Sequence, residues 1–322
     1  TPTKSSAASD VYKRQRIDSA EATALFVEDR FTTGAMTITA GARYEEITVK
    51  RDDWGKTDPD RSEIPSKREH TIDVVVPGIG IEYAINESQT VSVGIHKGFA
   101  PPGPGTSGVT DKAVDPETSM NTEIGFKSNK GLNSLEFTLF MNSYDNLLGA
   151  DTAASGGGSD ELFNGGAVDI SGFELYLRRI LVDNGRIQMP LELAWTNTNS
   201  EFQESFDGFW GDVSKGDELP YLPDTMIALN LGLNVDKISA NISMKKTSEM
   251  RTVAGSGSIS GSNATDELTI IDLGLRYALQ DNIRLSVGIN NFMDDDGVVS
   301  RRPYGARPTM PRSFSLGVDY TF

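Results

Sequence analysis

Hydrophobic and polar positions alternate with a period of two along most of this chain, and the alternation breaks at short turn-forming groups. The last eleven residues, RSFSLGVDYTF at 312–322, show the rule: Phe314, Leu316, Val318, Tyr320 and Phe322 are separated one by one by Ser315, Gly317, Asp319 and Thr321. A period of two places the two sets on opposite faces of a β-strand. The pattern recurs at 21–31 and 35–49, joined through Thr32, Thr33 and Gly34, and at 78–85 and 91–96, joined around Asn86 and Glu87. It predicts further hairpins from 119–128 with 133–147, 166–181 with 186–199, 225–235 with 237–247, and 267–279 with 283–293. Their turns carry Asn-Lys-Gly, Asp-Asn-Gly, Val-Asp-Lys and Gln-Asp-Asn, residue types that tolerate tight reversal.

Between the hairpins lie long polar segments at 50–70, 98–119, 149–165, 200–222, 249–266 and 294–311. Short and long connections therefore alternate across about thirteen strands of roughly 10–15 residues, the pattern of a membrane barrel with short turns on one side and long loops on the other. A sandwich mixes its connection lengths and favours shorter strands. Charge then selects the lipid face. Glu82, Glu123, Lys127, Glu136, Glu174, Arg178, Glu192, Asp272, Arg276, Arg284 and Asp319 all sit opposite the apolar residues of their own strands. A midplane Arg or Lys facing lipid costs about 2–4 kcal/mol, so the charged face is expected to look into the lumen.

Composition agrees. Hydrophobic residues make up 37% of the 322, and the mean hydropathy of -0.33 suits a barrel, in which only alternate residues need be apolar. No apolar run approaches the length of a membrane helix. Cysteine is absent, which removes disulfide frameworks and thiolate metal sites, and the net charge of -16 argues against a nucleic-acid partner. The opening TPTKSSAASDVYKRQ has no period, and SAASDVYKRQ is similar to translated adaptor sequence, so 1–15 are expected to be a non-native or disordered segment. The expected fold is all-β: an antiparallel up-and-down transmembrane β-barrel over 16–322. Because bacterial barrels have even strand numbers, about thirteen strands are expected to be part of a larger wall, about 22 strands in the plugged class or 16–18 in a porin.

A series of segments resembles the TonB-dependent receptors. ALFVEDRF, AGARYEE, VVPGIGIEYAINES, HKGFAPPGPG, DPETSMNTEIGFK, LEFTLFMNSYDNLL, NGGAVDISGFELYL, ELPYLPDTMIALNLGL and VGINNFMDDD follow one another in that family's order from about residue 20 to the C-terminus. The external segment VSRRPYGARPTMPRSF is most similar to the ferric dicitrate receptor branch. The resemblance implies a Gram-negative cell outer membrane, a surrounding of outer-membrane lipid, and active uptake of a ferric chelate. It also implies energy coupling to the TonB complex through a plug expected to be missing from this chain, and recognition of Phe322 by the barrel-insertion machinery. A passive porin or surface-adhesive barrel is the alternative.

Candidate ligand residues are those on external loops and the upper lumen wall: Arg301, Arg302, Arg307 and Tyr304 in one loop, and Phe99 and His96 in and before another. Guanidinium groups suit a polyanionic chelate such as ferric citrate, because they form bidentate charge-assisted bonds to carboxylates. The competing expectation is that these arginines pair with Asp294, Asp295 and Asp296, or lock the loop to the wall. No catalytic residue, metal site or cofactor is expected. The two histidines, His70 and His96, fall roughly 23 Å apart if His96 lies opposite about Pro77. Asp294-Asp295-Asp296-Gly297 lacks the spaced ligands of a calcium loop, and GSGSISGSNATD at 255–266 reads as an external loop without visible chemistry.

Overall fold

The computed structural model describes residues 15–55, 58, 60–102, 115–150, 162–208, 211–259, 261–301 and 305–322. Among them, one antiparallel sheet takes thirteen strands in strict chain order. These are β1 (Gln15–Thr33), β2 (Met36–Gly55), β3 (Ser66–Asn86), β4 (Gln89–Ala100), β5 (Glu117–Lys130), β6 (Asn133–Asp145), β7 (Val168–Asp183), β8 (Ile187–Phe202), β9 (Thr225–Val235), β10 (Ile238–Thr247), β11 (Leu268–Gln280), β12 (Ile283–Asn290) and β13 (Ser313–Tyr320). Each strand pairs with its sequence neighbour, and β1 and β13 are the two edges. Among the described residues no helix is long and apolar enough to cross a membrane, as the strand pattern requires none.

The short connections come out where turn chemistry places them. Gly34, Gly131, Gly185 and Asp236 take positive φ at the reversals, a region open to Gly and tolerated by Asp. The Asn86 side chain accepts the Ser88 N–H at 3.0 Å, and Asn184 accepts those of Arg186 and Ile187 at 3.1 and 2.8 Å. These side chains substitute for the backbone at the tip of each hairpin. Three strands, β6, β12 and β13, end earlier than their pattern predicts, β12 by the most. β12 stops at Asn290 because Asn291 turns into the left-handed region, φ 51°, and its buried amide bonds the carbonyls of Asp295 and Met310, both at 2.9 Å.

The largest departure is at 50–70, expected as a loop. Lys50 to Gly55 continue β2, and Ser66 to His70 begin β3, so these strands run to 20 and 21 residues. Polar residues can sustain a strand when cross-strand partners answer one another. Here Lys50 lies 3.6 Å from Glu69, and Arg51 bonds Asp18 of β1 through two N–H···O contacts of 2.6 and 2.8 Å. The tip that remains is compact. The Asp58 carboxylate accepts the Glu63 N–H at 2.8 Å and the Ser62 N–H and hydroxyl at 3.0 and 2.9 Å; these bonds, led by Glu63, hold it below the usual carboxylate range.

The pairing also sorts the faces. Tyr83, Ile81 and Ile79 of β3 oppose Met36, Ile38 and Ala40 of β2 and then Val91, Val93 and Ile95 of β4. The apolar set continues through Phe137–Phe126, Leu177–Leu135, Leu231–Leu191, Leu275–Val287 and Leu316–Val287 pairs to the far edge. These outward side chains range from half-buried to exposed, reaching 85% at Leu316 on the edge strand. The opposite face carries the charges, and several neutralise one another: Arg30–Glu82 at 3.4 Å, Lys127–Glu136 at 2.8 Å and Arg178–Glu192 at 3.6 Å. Along the part of the wall whose outer face is apolar, the inner face thus carries the charges, as the cost of charge in lipid demands.

Candidate functional site

Two regions of the inner face and its external rim hold the candidate residues. The first is a concavity of about 560 Å³ over β1–β4, with Phe26, Glu28, Arg43, Val76 and His96 around Gly41, Gly78, Gly80 and Gly94. Glycine is required in part of this floor. A Cβ on Gly41 would lie 2.8 Å from the Val27 carbonyl oxygen, and one on Gly78 3.2 Å from the His96 Cβ. Arg43 is engaged with Glu45 through an Nε–Oε1 bond of 2.6 Å, whereas the His96 imidazole has no partner among the described residues. His96 pairs with Gly78 instead of Pro77, because the turn falls on Glu87 and Ser88, one position later than Asn86-Glu87, and the register irregularity between Ala84 and Asn86 takes back one of the two positions this adds. His70 pairs with Val49, eight positions along β3 from Gly78, so the histidines stand about 26 Å apart along the strand.

Phe99 lies on the same strand but on the other face. The unbroken register from Gln89 to Ala100 keeps it in step with Val93 and Ile95, opposite His96. These two residues therefore do not form one surface.

The second region is the external ends of β8–β13, where three connections interlock: 203–224, 248–267 and 291–312. Glu218 and Gly255 form an isolated antiparallel bridge. The Tyr221 N–H donates to the Arg251 carbonyl at 2.7 Å, and the Thr265 N–H to that of Met250 at 2.9 Å. Arg251 is buried, and its guanidinium donates to the Glu218 carboxylate and to the Gly257 carbonyl. The Asp266 N–H donates to the Val298 carbonyl at 2.9 Å, and the Asp266 carboxylate accepts the Val298 N–H at 2.7 Å. Burial and neighbouring Glu218 push the Asp224 carboxyl up, an effect that Arg251 partly offsets. Beneath the lacing, Val168, Phe202 and Val213 make a buried core that Leu219 and Ala254 join from the loops.

Arg301 belongs to this lattice. Its backbone N–H donates to the Tyr221 hydroxyl at 3.3 Å, and its Nε donates to the Ala264 carbonyl. Arg307 sits beside it, exposed, in a small hairpin that pairs Val298–Ser300 with Arg307–Pro308. Arg302 and Tyr304 lie outside the described residues. The nearby acidic run has other work: Asp294 accepts from Arg312 at 3.4 Å, and Asp295 accepts the Thr269 N–H at 2.9 Å. Arg301 thus ties one loop to its neighbour, and the acidic run ties its own turn to Arg312 and to the start of β11. Tyr221, Arg251 and Glu218 were not singled out by their sequence. The one signal available was the ELPYLPD stretch, where two prolines flank a tyrosine.

Long strands in chain order, short turns at one end, interlocked loops at the other and a charged inner face are the features of a transmembrane β-barrel wall. The family model "TonB dependent receptor-like, beta-barrel" matches residues 1–292, and the chain belongs to that family. Its members are outer-membrane transport receptors. Among solved structures, the siderophore receptor PiuA from Acinetobacter baumannii is 17% identical with a TM-score of 0.74, covering 94% of this chain and 43% of its own. The ferric yersiniabactin uptake receptor FyuA from Yersinia pestis is 16% identical with a TM-score of 0.74, covering 96% and 47%. The ferric citrate transporter FecA in its unliganded form is 19% identical with a TM-score of 0.74, covering 96% and 46%. The chain therefore spans less than half the length of these structures, and at this identity they establish the shared fold. No curated protein sequence matches it.

Proposed function

We propose that residues 16–322 form the C-terminal part of the barrel of an outer-membrane receptor that takes up a ferric chelate by TonB-dependent active transport, with ferric citrate the first candidate. The observation that carries this reading is the thirteen-stranded wall with a charged inner face and long external loops, in a chain of this family. An antiparallel wall with both edges open in lipid leaves two rows of unpaired backbone groups. Upstream strands would close it, and a plug would fill its lumen and meet TonB. The outward apolar band would be solvated by lipid, and the exposed aromatic at Phe322 would present the strand to the insertion machinery. One of the structural neighbours is a siderophore receptor, one takes up ferric yersiniabactin and one transports ferric citrate, which supports an iron chelate as cargo. Arg301, Arg302 and Arg307 favour an anionic one, since guanidinium groups bind carboxylates in bidentate fashion.

The test is uptake of radiolabelled iron by cells that lack their own ferric transporters and express the complete receptor containing this barrel. Uptake of ferric citrate is expected, and it should disappear when TonB is deleted. Iron entry that persists without TonB would identify a passive porin instead. Surface binding without any entry would point to an adhesive barrel.

A further inference from the structure

Among the described strand residues, the pairing registers put Lys50, Lys67, Lys97 and Lys246 on the outer face of the wall. Three of these lysines are answered by a carboxylate. Lys50 lies 3.6 Å from Glu69, Lys67 3.9 Å from Asp52 and Lys246 2.8 Å from Glu267. Lys97 has no ion-pair partner among the described residues. It keeps step with Val93 and Ile95 on β4 and pairs with Met120 of β5, so its half-buried stem lies among side chains that meet lipid. The register also fixes its height. The Gly78–His96 pair brings Lys97 level with Pro77 and Phe99 level with Val75, which pairs with Tyr44. One outward position further along, Glu46 opposes Asp73 and the outer face has turned polar. Lys97 thus sits just inside the upper margin of the apolar band, at the long-loop end. From there a lysine stem carries its ammonium to the interface, level with Phe99 and with Thr118, which pairs with Phe99. The nearest outward carboxylate by register, Asp145, stands opposite Thr118 on β6, two strands from Lys97.

We infer that Lys97, with the Thr118 hydroxyl beside it, seats the phosphate of an outer-leaflet lipid whose acyl chains lie along the apolar band of β3–β5. Charge and place argue for this occupant together. A cation that no carboxylate of the wall answers, set among lipid-facing side chains, takes its counter-charge from the headgroups, and Val93, Ile95 and Ile124 below it receive the chains. Lysine meets a phosphate as a point charge, and a hydroxyl adds one donor. The cost of a charge on the lipid face is largest at the midplane and falls away at this height. The inference needs the wall to span an outer membrane and is independent of the cargo.

The test uses the complete receptor in phosphatidylcholine nanodiscs and titrates in lipid A, a bisphosphorylated glycolipid, or its dephosphorylated form, with binding read by native mass spectrometry. The wild type is expected to retain the phosphorylated lipid and to release the other. Lys97→Gln keeps the stem without the charge and is expected to weaken lipid A binding about fivefold, whereas Lys97→Arg binds as the wild type does. Lys246→Gln is the control, because Glu267 already answers that lysine; lipid A binding should not change. Equal retention of the two lipids by the wild type would overturn the inference without recourse to any variant. So would unchanged binding by Lys97→Gln, or an equal loss in Lys246→Gln, which would mean diffuse attraction to the outer face. Displacement of lipid A by millimolar inorganic phosphate would replace the lipid with a free anion and overturn it too. Ferric citrate uptake by Lys97→Gln should stay at the wild-type level, so the lipid seat and the receptor reading stand or fall separately.

Discussion

In the lower half of the β2–β3 hairpin, Met36, Ile38, Ala40, Ala42 and Tyr44 face outward with Val75, Ile79, Ile81 and Tyr83, while glycines and Arg43 face in. In the upper half the arrangement is reversed: Glu46, Thr48, Lys50, Thr71 and Asp73 face outward, and Ile47, Val49, Ile72 and Val74 face in. The pairing runs from Met36–Tyr83 to Asp53–Ser66 without a slip, so the inversion is written in residue types and not in register. Burial follows it. Ile79 and Tyr83 are half exposed, whereas Ile47, Val49, Ile72 and Val74 are 5–7% exposed. The physical cause is a change of solvent along one sheet. Where lipid lies outside, apolar side chains go outward. Where water lies on that side, they turn inward, and the outer face is held by exposed pairs such as Lys50–Glu69. β7 and β8 repeat this: Phe173, Leu175 and Leu177 face outward with Leu193 and Trp195, while the inward Val168 and Phe202 at the external end are fully buried.

Substitutions that respect one half and violate the other test this contrast. The largest effect is expected at Phe202→Ala, which empties the core beneath the external loops; loss of a buried Phe costs about 3–5 kcal/mol. Urea unfolding of the complete receptor in lipid vesicles would show it, and an unchanged midpoint would mean that the loops are not packed on this core. Next comes Ile79→Arg, on the lipid side of the lower half, at about 2–4 kcal/mol near the midplane. The expected signature is lost assembly into the outer membrane, read by heat-modifiable migration. Normal assembly would place this residue outside the lipid band. The smallest effect carries the opposite sign. Glu46 and Asp73 are directly opposed carboxylates on the outer face. Glu46→Lys turns a repulsive pair into an attractive one, with a gain of about 0.2–1 kcal/mol by the same urea titration. A loss comparable to that of Ile79→Arg would show that lipid reaches this height.

The strand arms, their order and the polar lumen were legible because each rests on local information, a period of two and the turn residues that interrupt it. Asp319 and Arg284 could be placed in the lumen from their own strands alone, and the structure pairs them across β12 and β13 on that face. The tall β2–β3 arm was not legible as strand. Lys50 to His70 is polar, and only the partners at Asp18, Glu69 and Asp52 reveal that those residues continue a ladder. His96 and Phe99 were both candidate ligand residues of one strand and its loop, and the pleat places them on opposite faces.

By itself, then, the sequence determined a repeated hairpin with one lipid-compatible and one charged face, because alternation is a property of neighbouring residues. The interlocking of 203–224, 248–267 and 291–312 was decided only by tertiary structure. Tyr221, Arg251, Ala264 and Arg301 are scattered over eighty positions, and nothing in any one loop specifies that the hydroxyl of the first will hold the backbone of the last. Such bonds depend on where the wall brings the loop ends together. The loop lattice is therefore set by barrel geometry acting on side chains whose local patterns are silent.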